Sequence, residues 1–141
     1  MKMKLREVNK NLNALANMGG MIYPAKMSFA ISRNIEILQR ESERINNERE
    51  KLCKDYAEKD ENGDCVMVEG IINGQTVKKY KMTDEKQAEF EAEYDDLLNE
   101  ETDLDIRTVK QEVVERCEEV ERYSVPTVAH IVGMAFMIEE E

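Results

Sequence analysis

Between Ala25 and Glu58, Ile31, Ile35, Leu38, Ser42, Ile45, Arg49, Leu52 and Tyr56 recur at alternating four- and three-residue steps. Side chains so spaced share one face of an α-helix, and the heptad pattern demands a partner surface for that face. Ser42 and Arg49 interrupt it, which costs stability but can fix register. The flanking Glu41, Glu43, Arg44, Glu48 and Glu50 suit a solvated helix packed against one neighbour. Either a helical hairpin within the chain or a homodimer through Ile31, Ile35, Leu38, Ile45, Leu52 and Tyr56 satisfies the seam.

The rest of the chain is organised around this helix. Leu5, Val8, Leu12 and Leu15 predict a first helix ending within residues 1–20, with Gly19-Gly20 as a left-handed cap. Met21 to Pro24 reads as an extended connector. The long helix spans 25–58, and Asp60 to Asp64 supply turn chemistry. Residues 64–82 predict a β-hairpin, because Asn73-Gly74 lies between β-prone runs; a second turn at Glu69-Gly70 leaves the pairing open. An acidic helix over 84–101 opens with a capping box of Asp84 and Gln87. Residues 104–138 then hold a short strand, Leu104 to Val109, pairing with the hairpin, and C-terminal helices. The last of these, Thr127 to Ile138, is the most apolar run in the chain and reads as a buried helix. The expected fold is mainly α with a small β element. In it an antiparallel long-helix hairpin is capped by a β-hairpin and packed with N- and C-terminal helices, as one domain over 1–141.

Charge is distributed unevenly. The net charge is −11, yet Met1 to Ala57 has eleven Lys and Arg against seven Asp and Glu, while Glu58 to Glu141 has nine against 24. Asp84 to Glu121 alone carries 16 acidic and four basic residues among apolar positions that a disordered acidic tail would lack. Such a balance disfavours direct nucleic-acid binding, which requires phosphate neutralisation, and favours a protein partner with a basic surface. Asp95, Asp96, Glu100, Glu101, Asp103 and Asp105 are the candidate partner-binding residues.

Signs of catalysis are missing from the sequence. There is no GxGxxG, P-loop, GxSxG or HExxH motif. His130, the single histidine, lies in an apolar run with no nucleophile nearby. Cys53, Cys65 and Cys117 lack zinc-type spacing and read as reduced thiols, so neither metal nor cofactor is expected. Asp60, Asn62 and Asp64 look like the start of a calcium loop, but Gly63 comes too early and Ile71 stands where the closing glutamate belongs. No run approaches the ~20 apolar residues of a membrane span, and the N-terminus is not signal-like, so a cytoplasmic location is expected.

Leu5-Arg6-Glu7-Val8, Ser28-Phe29-Ala30-Ile31-Ser32-Arg33-Asn34, Asp60-Glu61-Asn62-Gly63 and Glu93-Tyr94-Asp95-Asp96-Leu97-Leu98-Asn99-Glu100-Glu101 together resemble a family of small uncharacterised bacteriophage and prophage proteins of Gram-positive hosts. The likeness covers most of the chain and carries no catalytic residues. It implies a non-catalytic protein in the bacterial host's cytoplasm. Such proteins either build the virion or disable host defence, and the acidic segment suits the second role, inhibition of a nucleic-acid-handling defence enzyme in the manner of an anti-CRISPR or anti-restriction factor. The alternative is a structural or assembly protein that self-associates through the long helix.

Overall fold

The structure, a computed structural model, describes residues 1–139. It is mainly helical with two small antiparallel two-stranded sheets. In chain order the elements are β1 (Lys2–Lys4), α1 (Leu5–Ala16), α2 (Ala25–Tyr56), β2 (Met67–Ile72), β3 (Gln75–Tyr80), α3 (Asp84–Leu98), β4 (Glu101–Asp103), α4 (Gln111–Glu119) and α5 (Val128–Met134), with a 3₁₀ turn at Ala135–Met137. Length suggests one core, but the chain divides into two compact units. One comprises Met1–Glu43 with Glu101–Glu141, the other Arg44–Glu100, and α2 contributes residues to both.

In the first unit the core is rich in methionine: Met3, Met18, Met27, Met134 and Met137 are buried beside Val8, Leu15, Ile31 and Leu38. Unbranched thioethers fill irregular space between short elements that straight rows of leucine would fit poorly. β1 pairs with β4, setting Met3 opposite Thr102. This strand pair replaces the expected pairing of Leu104 to Val109 with the hairpin; Val109 makes only a bridge to Ile138. Its two strands lie about a hundred residues apart, so no local signal announces it. Gly19 and Gly20 do not take the left-handed conformation, and α1 instead ends on Asn17 in helical geometry. The connector is tied down by Ser124, whose N–H donates to Ile22 O at 2.7 Å and whose Oγ accepts from Ile22 N–H at 3.0 Å.

Asn34 is the one fully buried polar side chain among the described residues. Its Oδ1 accepts from Arg107 N–H at 2.7 Å and its Nδ2 donates to Arg107 O at 2.9 Å, so the amide completes the backbone of a segment that has no strand partner. Asn34 falls on the same stripe of α2 as Met27, Ile31 and Leu38. Ile31, Leu38 and Ile45 are buried inside the chain, and Ile35, Leu52 and Tyr56 are half-buried. The first three therefore have no free surface to offer a second copy. Cys53, not its neighbour Leu52, takes the interior place.

In the second unit β2 and β3 form a regular hairpin from Met67↔Tyr80 to Ile72↔Gln75. Asn73 and Gly74 have φ of 52° and 78°, the left-handed pair of a two-residue type I′ turn. Gly70 pairs with Val77 inside the ladder, so the second turn at Glu69-Gly70 does not form. Asp60 Oδ1 accepts from the N–H groups of Asn62 and Asp64, which closes the preceding turn on itself. The hairpin base is held by Glu58 N–H to Lys81 O and Val66 N–H to Glu58 O, both 2.8 Å.

Two tyrosines of this unit donate to carboxylates: Tyr80 to Glu50 at 2.9 Å and Tyr56 to Glu93 at 2.6 Å. In each case that hydrogen bond raises the phenol's pKa above its ordinary value. The protonated phenol is favoured by folding, so the contribution is full below the ordinary tyrosine range and is lost as pH rises through the raised folded value. Absorbance titration of the phenolates should show Tyr56 and Tyr80 ionising late. Glu93→Gln should bring Tyr56 back toward the ordinary range and leave Tyr80 late.

Candidate interaction surface

The acidic helix α3 is built to keep its carboxylates in solvent. Thr83 caps it, Oγ1 accepting from Lys86 N–H at 3.2 Å, so the cap lies one residue before the expected Asp84 and Gln87 box. Asp84 and Glu85 then stand in the first turn, where the helix dipole favours negative charge. Phe90 is buried, and Tyr94, Leu97 and Leu98 are half-buried along the same face. Phe90 and Tyr94 stack with centroids 5.9 Å apart, and the Arg49 guanidinium lies over both rings at 5.8 and 5.9 Å. Lys86 lies over the Tyr56 ring.

Helical spacing turns Glu85, Ala88, Glu89, Ala92, Asp95 and Asp96 to the side opposite Phe90 and Tyr94, and all six are exposed. The alanines between the acids leave that face smooth. Lys86, the single cation of α3, is paired with Glu89 at 3.3 Å. Glu93 faces α2 through its bond to Tyr56 and is not part of the outer surface. Asp95 and Asp96 occupy the last turn, which holds no basic residue. There the helix dipole disfavours a carboxylate by about 0.3–1 kcal/mol each. Their position is thus not one that local helix stability would select.

The six carboxylates expected to bind a partner fall on both sides of the unit boundary at Glu100 and Glu101. Asp95, Asp96 and the exposed Glu100 belong to the second unit, and Glu101, Asp103 and Asp105 to the first. In β4, Glu101 stands opposite Lys4 and Asp103 opposite Lys2. The Met1 amino group lies 2.8 Å from Asp103 and, with Lys2, holds its carboxyl below the usual carboxylate range. Cross-strand lysines therefore offset the negative charge of Glu101 and Asp103. Glu85 and Glu89 extend the exposed acidic face of Asp95 and Asp96 along α3. Their signal is the i, i+4 spacing on the face opposite Phe90.

His130 serves α5 as a cap: its N–H donates to Thr127 Oγ1 at 3.2 Å, and Thr127 N–H donates to its Nδ1 at 3.3 Å. Cys53 and Cys117 are buried, and burial pushes both thiols up in pKa. Among the described residues no group of three or more His, Cys, Asp and Glu could hold a metal ion, and no helix is long and apolar enough to cross a membrane. Comparison with known proteins gave no matching family model, no matching curated protein and no matching solved structure.

Proposed function

We propose that this chain is a non-catalytic, cytoplasmic interaction protein of bacteriophage type that inhibits a host nucleic-acid-handling defence enzyme by presenting the outer face of α3 to a basic groove. The observation that carries the reading is the exposed row of Glu85, Glu89, Asp95 and Asp96, continued to the helix end where the dipole opposes it. Carboxylates at helical spacing can meet the cations of a phosphate-binding groove, and complementary potential raises the association rate. α2 and α3 run antiparallel in this proposal, Lys86 meeting Tyr56 and Phe90 and Tyr94 meeting Arg49, which keeps the outer face of α3 clear.

Affinity capture from a bacterial lysate tests it. The wild-type protein should recover a nuclease or other nucleic-acid-binding enzyme and release it as salt is raised, since exposed charge pairs are screened. The triple variant Glu85→Lys, Asp95→Lys, Asp96→Lys should recover none. Equal capture by the variant would refute the assignment of the surface.

A further inference from the structure

The last helix does not lie buried as its composition leads one to expect. α5 sets Gly133 against Ala14 of α1 and buries Met134, but Val128 is 80% exposed, Val132 69% and Ile131 44%. Together with the exposed Ala135 these residues fall at i, i+3, i+4 and i+7, a continuous apolar stripe with no cover from the first unit. Beside it runs a groove of about 240 Å³, floored by Val114 and Ile138, walled by Pro126 and Ile131, and rimmed by Glu115 and Glu118 of α4. No cation lines the groove among the described residues. Arg116 of the same helix turns to a different depression, beside Lys26 and Tyr123.

We infer that the groove between α4 and α5 is a second docking site, distinct from the face of α3, and that its occupant is a cationic amphipathic helix of a partner protein. An apolar floor takes leucine-like anchors at helical spacing, and the carboxylate rim takes the lysines or arginines that flank them. A second copy of this chain fits less well, because a two-fold interface brings the same patch against itself, and this patch carries Glu115 and Glu118 but no cation to pair with them. An anionic lipid surface is repelled by the same carboxylates. The inference does not rest on the role of α3.

The probe is a helical peptide of about 14 residues, four turns, with leucine on one face and lysine on the other. Its control is a peptide of equal length and charge with alanine in place of leucine. Titration followed by amide NMR should move resonances of α4 and α5, with the leucine peptide binding at least about tenfold more tightly than the control. Val128→Asp, at a site open enough to leave folding intact, and the pair Glu115→Lys with Glu118→Lys should each weaken binding by about tenfold or more. The α3 charge-reversal variant should bind the peptide as the wild type does, so that the two surfaces fail separately. Equal binding of both peptides, shifts confined to α3, or unchanged affinity in the groove variants would each overturn the site. So would a dimer in light scattering that Ile131→Asp splits, since the face would then belong to a second copy.

Discussion

Replacing Asn34 with leucine should lower stability by about 2–4 kcal/mol, because two backbone groups of Arg107 lose their partner at once. Leucine has the same branched heavy-atom skeleton and suits the helix, and neighbouring positions of the stripe, Ile31 and Leu38, are already apolar. On hydrophobic grounds alone the change would therefore stabilise. Against that, Arg107 N–H and Arg107 O are satisfied at 2.7 and 2.9 Å by the two ends of one amide, and a hydrocarbon supplies neither a donor nor an acceptor. Asn34→Asp should be at least as damaging, since the carboxylate keeps the acceptor, loses the donor and adds a buried charge. Denaturant unfolding with fitted midpoint and slope checks this. A change below about 1 kcal/mol would mean that the segment around Arg107 is not held by Asn34.

Gly133→Val should cost about 3 kcal/mol, near the upper end for overpacking. A Cβ built at Gly133 would lie 2.8 Å from the Ala14 Cβ, a separation that real side chains do not adopt. Inside a helix glycine costs up to about 1 kcal/mol relative to alanine, so its presence in the last turn of α5 has to be explained by what it meets. Here it lets α5 approach α1 closely enough to bury Met134. The cycle is completed by Ala14→Gly, which removes the opposing methyl. Alone it should destabilise by about 1 kcal/mol through lost helix propensity, yet combined with Gly133→Val it should recover a large part of the loss. Additive losses in the double variant would show that α1 and α5 do not meet at these two residues.

What could be read directly in the sequence was whatever short-range chemistry controls. The Asn73-Gly74 turn is specified by two residues that tolerate positive φ, and its ladder follows from there. α2 follows from its periodicity, and the acidity of α3 from simple counting. The pairing of β1 with β4 was not legible, because Lys2–Lys4 and Glu101–Asp103 are three residues each and meet only through tertiary structure. That pairing also bears on the expected partner-binding residues. It sets two of the expected carboxylates opposite lysines, something a linear charge count cannot register. The exposure of Val128 and Val132 was hidden for a related reason: an apolar run shows that a helix needs cover, not whether the rest of its own unit provides it. Asn34 did leave a trace, a polar residue on the stripe of Met27, Ile31 and Leu38, and such a position points to a backbone partner.

The α3 face is expected to exclude nucleic acid from its partner. With the enzyme recovered by capture, a fluorescently labelled DNA or RNA duplex bound to it should be displaced by the wild-type protein. The apparent affinity should fall steeply with salt, and the variant carrying Glu85→Lys, Asp95→Lys and Asp96→Lys should displace nothing. A ternary complex, with the duplex still bound while this protein is attached through α3, would contradict the account.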